Sequence, residues 1–189
     1  MNTDTQREKT VLITVLIINF TLFLLELITG FISGSMGLLA DSLDMLADSI
    51  VYGLSLYAVG HAISRKQQIA RSSAYFQFFL AIAGFIEVIR RFLGYEKMPG
   101  FQTMIMVSII ALMGNAACLI IMHKHKDRGV HMKASWIFTS NDVIINLGVI
   151  LAGVLVYLTR SNKPDLIIGC IVFVLVARGA YRIFKLSRE

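Results

Sequence analysis

The stretch LLADSLDMLADSIVYG, residues 38–53, combines the hydropathy of a membrane helix with three aspartates. Asp44 and Asp48 are four residues apart, so their carboxylates lie above one another on one helical face, and Asp41 extends this row. A charged side chain deep in a bilayer costs roughly 2.5–3.5 kcal/mol on insertion scales. The row is therefore stable only if it faces a polar interior, binds cations or stays partly protonated.

The rest of the chain is similarly apolar. Of its 189 residues 56% are hydrophobic, and the mean hydropathy is +0.70, which is far outside the range of a soluble domain. Six long apolar runs predict spanning helices near residues 11–33, 36–62, 72–94, 101–122, 134–158 and 165–185. We therefore expect an all-α integral membrane protein, a six-transmembrane-helix bundle in a lipid bilayer. It would form a single transmembrane domain over residues 1–189, with no soluble domain.

The positive charges lie in the short connectors between the apolar runs. Thirteen of the eighteen Lys and Arg residues fall on the side of the two termini and five on the opposite side. Because cytoplasmic loops collect basic residues, both termini are predicted to be cytoplasmic. The net charge of +6 is explained by this topology, so we expect no binding to nucleic acid. The predicted spans contain no nucleophile–base pairing and no histidine-based metal motif, so we expect no enzymatic activity.

Half of the twelve acidic residues lie in the interior of the predicted spans: Glu26, Asp41, Asp44, Asp48, Glu87 and Asp142. A helical rise of about 1.5 Å per residue places Glu26 and Asp41 at a similar shallow depth and Asp48 and Asp142 nearer the middle. No Lys or Arg is expected deep enough to neutralise Asp48 and Asp142. The missing positive charge is then most simply a proton or a metal ion.

Structural explanations remain open for some of these acids. If the second helix begins at Ser42, Asp41 is its N-cap and only Asp48 is deeply buried. Glu87 has arginines three and four residues later, so a structural ion pair is favoured there. For Glu26, a structural role and a proton-handling role are equally open.

Four segments together resemble the cation diffusion facilitator family of divalent-metal/proton antiporters. They are GSMGLLADSLDMLADSIVYG in the second span, FIEVIRRFLG closing the third, GNAACLIIMH in the fourth and SNDVIINLGVILAG in the fifth. Their order, spacing and topology agree with that family over all six spans. The resemblance implies a transport protein with a metal site at mid-membrane.

The resemblance implies that this site consists of two pairs of ligands, one on the second helix and one on the fifth, each pair four residues apart. The first pair is Asp44 and Asp48. In the second pair Asp142 is present, whereas its partner position is occupied by Phe138, which departs from the family pattern. The expected metal ligands are therefore three carboxylates.

A fourth ligand would be water or another oxygen close to Asp142. Thr139 and Asn146 share a helical face with Asp142 and are the candidates, although helix packing is the favoured explanation for both. Asn141 points about 100° away on an ideal helix and is a weaker choice. Asp41 is a further, weaker candidate for a metal ligand.

An all-oxygen site suits manganese or iron(II), and zinc remains open because the family is dominated by zinc transport. We expect a divalent transition metal, among Zn, Mn, Fe and Co, and no cofactor beyond this transported ion. Clustered acids should hold protons when metal is absent, with Asp41 and Glu26 as candidates for a proton relay. The resemblance implies metal efflux in exchange for protons across the cytoplasmic (inner) membrane of a bacterium.

Three histidines, His123, His125 and His131, flank the connector between the fourth and fifth spans. They are candidates for a cytoplasmic metal-loading loop, and a solvated basic loop is the alternative. Family members commonly continue into a soluble dimerising domain, whereas this chain stops at Glu189. We therefore expect a homodimer formed through membrane helices. The alternative function is a transport-incompetent membrane subunit or heterodimer partner that keeps the fold.

Overall fold

The computed structural model describes residues 3–57, 63–94, 97–123 and 130–187, and these residues form six helices. In chain order the helices are α1 (Thr3–Ser33), α2 (Met36–Tyr57), α3 (Ile63–Leu93), α4 (Phe101–His123), α5 (Val130–Thr159) and α6 (Lys163–Leu186). The predictions of an all-α chain and of six helices are confirmed. The predicted continuation of the second span over residues 58–62 lies outside the described residues.

Among the described helices, five are long and apolar enough to cross a bilayer. Their apolar segments are Lys9–Ser33, Arg71–Leu93, Phe101–His123, Thr139–Thr159 and Lys163–Lys185. The remaining helix, α2, has 22 residues, which is sufficient for a crossing, but it carries the three aspartates of the row. The three aspartates, two of them predicted ligands, therefore lie in the middle part of this helix, whereas the other five helices each contain a long stretch with few charges.

The six helices are arranged as a ring of four with a pair beside it. α1 packs against α2 and α4, and α5 packs against both α4 and α2, which closes the ring. α6 packs against α2 and α5, and α3 packs against α6 and α2. α2 is thus in contact with every other helix of the bundle.

Glycines on α6 show how α2 and α6 are aligned. A Cβ atom on Gly169 would lie 3.0 Å from the Cβ atom of Met36, and one on Gly179 would lie 4.0 Å from Oδ1 of Asp44. The contact advances in the same direction along both helices, so they are parallel. The beginning of α1 and the end of α6 consequently lie at the same end of the bundle, here called the termini end. Its cytoplasmic location stays a prediction.

The opposite end of the bundle, here called the far end, contains the largest apolar core. Buried side chains from five helices meet there, including Met36, Met104, Val149 and Val172. The buried carboxylates of α1, α2 and α5 lie beside this core in the ring interior, with Glu26 and Asp41 nearer the far end and Asp48 and Asp142 deeper in the bundle. The core therefore closes the far end with apolar packing, whereas the middle of the ring is polar.

The turn between α1 and α2 is defined by a glycine and a serine. Gly34 has φ of +70°, and the backbone N–H of Ser35 donates to the carbonyl of Gly30 at 3.1 Å, which is a Schellman ending for α1. The Ser35 hydroxyl accepts the N–H of Leu38 at 3.1 Å and so caps α2. The alternative in which Asp41 is the N-cap is therefore wrong, because α2 begins five residues earlier and Asp41 lies in its interior.

Candidate metal centre

A chain of hydroxyl groups connects α5 to α2 at the level of Asp48. Oη of Tyr52 lies 3.3 Å from Oδ2 of Asp48 and 3.0 Å from Oγ1 of Thr139. Because an ionised carboxylate only accepts hydrogen bonds, the consistent assignment is that Thr139 donates to Tyr52 and Tyr52 donates to Asp48. The sulphur of Met122 on α4 is a weaker acceptor for Thr139, at 3.7 Å. Asp48 is only 5% exposed, so this contact orients a buried carboxylate.

Asp142 on α5 is fully buried, and neither of its carboxylate oxygens has a hydrogen-bond partner among the described residues. Its carboxyl group is close enough to those of Asp48, Asp44 and Asp41 for their charges to interact. The carboxyl group of α5 therefore faces the row of carboxyl groups on α2. A buried ionised group without a donor is costly unless a cation or a proton neutralises it.

Glu26 on α1 and Asp41 on α2 form a second acidic pair. Both are fully buried, and their carboxyl groups interact with each other, as the similar depth of the two residues predicts. Apart from their contact with each other, no group in the described part of the chain donates a hydrogen bond to either carboxylate. A single proton shared between two carboxyl groups would satisfy this arrangement. Asp142 interacts electrostatically with Glu26 and so connects this pair to the row on α2.

These carboxyl groups are near one another without forming a compact ligand cluster. Within the described ranges, no three His, Cys, Asp or Glu side chains are close enough together to hold a metal ion in this structure. The predicted ligand set of Asp44, Asp48 and Asp142 stays a prediction. A bound metal would have to draw the carboxyl groups of α2 and α5 together.

A cavity of about 90 Å3 lies between α2, α5 and α6. Its polar lining consists of Asp44, Asp48, Asn141, Arg178 and Arg182. Asp44 is partly exposed in this cavity, and both arginines are exposed. Asn141, the weaker choice by helical geometry, thus lies beside the aspartates of α2.

Arg182 overturns one expectation about charge. The sequence predicted no basic residue deep enough to neutralise Asp48, but the positive charge of Arg182 acts on both Asp44 and Asp48. Its position at the close of the last apolar run places Arg182 among the basic residues on the side of the termini. Its side chain nevertheless lines the cavity that contains the aspartates. The aliphatic part of an arginine side chain can lie along a helix surface and place the guanidinium several ångströms from the backbone.

The two candidates for a fourth ligand have different surroundings. Thr139 is buried and takes part in the hydroxyl chain with Tyr52. Asn146 is buried as well, and its amide donates to the backbone carbonyl of Asp142 at 2.8 Å. Its Oδ1 atom has no partner within the described part of the chain. Each residue thus has a structural contact, and Asn146 retains an unused acceptor oxygen.

The far end contains a carboxylate that the sequence analysis did not single out. Asp165, the third residue of α6, accepts hydrogen bonds from the Ser35 hydroxyl at 2.6 Å and from the backbone N–H groups of Met36 and Gly37 at 2.7 and 3.0 Å. It therefore caps the first turn of α2 from another helix. Arg91 donates to the carbonyl of Gly34 at 2.7 Å in the same turn.

The predicted ion pair of Glu87 is confirmed. Its carboxylate accepts hydrogen bonds from Arg90 and from Arg91, with the shortest N–O distance 2.8 Å in each case. The side chain of Glu87 is 33% exposed, so this acid belongs to the surface of α3 and lies apart from the buried acids. Its pairing also orients Arg91 towards the turn between α1 and α2.

The predicted histidine loop is only partly described. His123 is the last residue of α4 and is exposed, with its ring 6.4 Å from that of Trp136 on α5. His131 lies in the first turn of α5, and its side chain is outside the described part, as is that of Phe138. His125 lies outside the described residues altogether.

Three residues that interact with the acids or the first turn of α2 were not singled out from the sequence, for different reasons. Tyr52 follows Asp48 by four residues, so the helical repeat that paired Asp44 with Asp48 was a usable signal for it. Asp165 follows a proline at the start of a helix, which marks a helix N-terminus and says nothing about its partners on α2. No sequence signal indicates that the side chain of Arg182 extends to the cavity that contains Asp44 and Asp48.

These features define a multi-pass membrane protein with an acidic interior. The family of the cation efflux transmembrane domain matches residues 12–189. The chain therefore belongs to the cation efflux family, which confirms the resemblance to cation diffusion facilitators.

Individual relatives agree with this assignment. The zinc transporter ZitB of Yersinia pseudotuberculosis is 29% identical over 183 residues, covering 88% of this chain and 58% of the relative. ZitB of Escherichia coli K12 is 26% identical over 176 residues, covering 86% and 56%. A cadmium, cobalt and zinc/H(+)-K(+) antiporter of Bacillus subtilis is 26% identical over 190 residues, covering 90% and 60%. The chain thus spans 56–60% of the length of these relatives. All three are bacterial, in agreement with the expected bacterial membrane.

Proposed function

We propose that this chain transports a divalent transition-metal cation across the membrane in exchange for protons, with Asp44, Asp48 and Asp142 as the metal ligands. The observation that carries the proposal is Asp142, a fully buried acid that faces the acids of α2 and has no donor among the described residues. Such a group is stable in a helix bundle when it holds a proton or a cation.

Exchange of the two cations follows from the charge of the site. Three ionised carboxylates around a divalent ion leave one negative charge, whereas the same groups without metal repel one another at low dielectric. Protons on one or more carboxyl groups relieve this repulsion, and an arriving metal ion displaces them. Metal binding and proton release are therefore coupled in a single step.

The ligand chemistry favours a class of ions rather than one ion. Carboxylate oxygens, with water or the Oδ1 atom of Asn146 to complete the shell, accept manganese, iron(II), cobalt and zinc. The names of the relatives refer to zinc, cadmium and cobalt. Because of those names, zinc and cobalt are the first ions to test. We propose efflux as the direction of transport.

We further propose that Glu26 and Asp41 form a proton relay on the far-end side of Asp142. The two carboxyl groups face each other in the ring interior and lack donors in the described part of the chain. Asp142 interacts electrostatically with both residues. A proton held by the pair could thus pass to Asp142 as the metal leaves.

A second copy of the chain is the partner that we propose within the membrane. The apolar segment of α3 is only 22% buried, the lowest share among the five apolar segments. Its exposed side carries aromatic residues such as Phe76 and Phe79, which suit lipid or a second copy. The oligomeric state of purified protein in detergent, measured by light scattering, tests this part.

The experiment for transport uses the full chain, reconstituted into vesicles with an acidic lumen. Uptake of Mn2+, Fe2+, Co2+, Zn2+ and Cd2+ is measured together with the release of lumenal protons. We expect saturable uptake of at least one ion, coupled to proton release and abolished by Asp48→Asn and Asp142→Asn. Glu87→Gln is the matched control, because this acid lies outside the proposed site, and it should retain transport.

The opposite result would favour the alternative function. If folded protein, judged by monodisperse elution from a sizing column, moved none of the five ions, transport by this chain would be refuted. A membrane subunit that keeps the fold without transporting would then be the better description.

A further inference from the structure

The cavity between α2, α5 and α6 contains charges of both signs. Asp44 and Asp48 line it from α2, and Arg178 and Arg182 line it from α6. The two arginines are four residues apart and share a face of α6, with Gly179 between them. A Cβ atom on Gly179 would lie 4.0 Å from Oδ1 of Asp44, so α6 packs beside Asp44 at an ordinary contact distance.

Of these two arginines, Arg182 is the one whose charge acts on the aspartates. It lines the same cavity as Asp44 and Asp48, and its positive charge interacts with both carboxyl groups. Its side chain is exposed at the termini end of α6, so the guanidinium is within reach of water. The arginine thus connects the buried carboxylates with the solvent side of the bundle.

We propose that Arg182 is the resident counter-cation of Asp44 and Asp48 and that a divalent metal must displace it in order to bind. This inference rests on the proposed metal site and adds to it a residue that sets metal affinity. It makes Arg182 a positioning residue, because it acts on the ligands and does not itself contact the metal.

The chemistry of arginine distinguishes this step from the exchange of metal for protons. A carboxyl group gives up its proton, but a guanidinium stays charged at every physiological pH. Arg182 therefore has to move when a divalent cation arrives, since two positive centres next to the same carboxylates repel each other. Its flexible stem and exposed position allow the head group to turn into water. Displacement of Arg182 from the aspartates therefore requires only a change in the conformation of its own side chain.

The direction of the mutational effect follows from this competition. Removing the charge with Arg182→Gln should tighten metal binding, because the metal no longer competes with a resident cation. Because the guanidinium of Arg182 is exposed to water, its attraction to the aspartates is weakened by solvent, and we expect the Kd to fall by about two- to fivefold at low ionic strength. Arg182→Lys keeps the charge and should restore the wild-type Kd to within about twofold. Loss of a merely structural residue would weaken binding instead.

The test measures Zn2+ and Mn2+ binding to the purified full chain in detergent by isothermal titration, at one pH and two salt concentrations. Arg178→Gln is the matched variant, because it removes a positive charge from the lining of the same cavity, and we expect a smaller change. Arg71→Gln, on the exposed surface of α3, should leave the Kd unchanged. At about 0.5 M salt the difference between Arg182→Gln and wild type should shrink, because screening weakens the arginine.

Each outcome decides the proposal. It is overturned if Arg182→Gln leaves the Kd unchanged or weakens binding, or if Arg178→Gln tightens binding by the same factor. The last result would show that metal affinity depends on the total positive charge of the cavity and not on Arg182 in particular. If Arg182→Gln does not fold, an Arg182→Lys variant whose Kd departs from wild type by more than about fivefold overturns the proposal as well. Failure of the metal site itself is distinguishable, since wild-type protein would then bind neither ion.

Discussion

Asp165, at the far end of α6, accepts one hydroxyl and two backbone N–H groups, whereas Asp142, within α5, has no donor in the described ranges. Both carboxylates are almost completely buried. Asp48 lies between these extremes, because it accepts one long hydrogen bond from Tyr52 at 3.3 Å. The same chemical group thus has three different surroundings in one bundle.

The difference separates a structural acid from an acid that handles ions. Donors aimed at a carboxylate replace the water that it loses on burial, so the hydrogen-bonding needs of Asp165 are met while it joins α6 to α2. A buried carboxylate without donors depends on a proton or a cation, and its state changes with the supply of either. The far end is therefore held by fixed hydrogen bonds, whereas the middle of the ring can exchange its charges.

The largest effect is expected from Asp142→Asn. The amide has the same shape and no charge, so metal transport should fall to the vesicle background. The thermal midpoint in detergent should stay the same or rise, because an uncompensated buried charge is removed. Vesicle uptake and thermal unfolding of the same preparation provide the two measurements. A large loss of stability with transport retained would show that Asp142 has a structural role. Asp142 and Asp165 would then no longer differ in function.

The next effect is expected from Asp165→Ala, which leaves the Ser35 hydroxyl and two N–H groups at the start of α2 without their acceptor. Because buried donors without an acceptor are costly, we expect the free energy of unfolding to fall by about 2–4 kcal/mol. The measurement is the thermal midpoint, which should be lower than that of the wild type. Glu87→Gln is the control, because a partly exposed ion pair contributes about 0–1 kcal/mol. Equal losses for the two variants would contradict a special role for Asp165.

The two regions also differ in how far the sequence predicts them. Hydropathy predicts the six helices, because crossing a bilayer needs long apolar runs. The helical repeat pairs Asp44 with Asp48, and the rise per residue places Glu26 level with Asp41. These are properties of single helices or of depth in the bilayer, which the sequence carries directly.

The contacts between helices could not be predicted in the same way. Ser35 and Asp165 are separated by 130 positions, and their hydrogen bond depends on how α6 packs against α2. The reach of Arg182 depends on the same packing and on the small residue Gly179 beside it. Neither property has a local pattern, so residue type and spacing alone do not indicate the partner.

A smaller effect is expected at Gly179, beside the aspartates. A Cβ atom there would lie 3.9 Å from the Cβ of Ala47 and 4.0 Å from Oδ1 of Asp44, which are ordinary contact distances. Gly179→Ala should therefore transport metal within about twofold of wild type, whereas the branched side chain of Gly179→Leu would extend into the cavity and slow uptake by about tenfold. Initial rates of uptake measure both variants. Equal rates would show that metal does not use this cavity.

The smallest effect is expected from Tyr52→Phe, which deprives Asp48 of its one long hydrogen bond to a hydroxyl and makes its surroundings more like those of Asp142. The carboxylate has several lone pairs, so it can keep this bond while it binds a metal, and the hydroxyl orients it in both states. Because a hydrogen bond of 3.3 Å is weak, we expect the Kd for metal to rise by only about two- to threefold. Thr139→Val, which removes the other end of the hydroxyl chain, should have an equal or smaller effect. If Tyr52→Phe instead abolished binding, Tyr52 would be part of the ligand set, and Asp48 would have to be grouped with Asp165 as a carboxylate fixed by its donors.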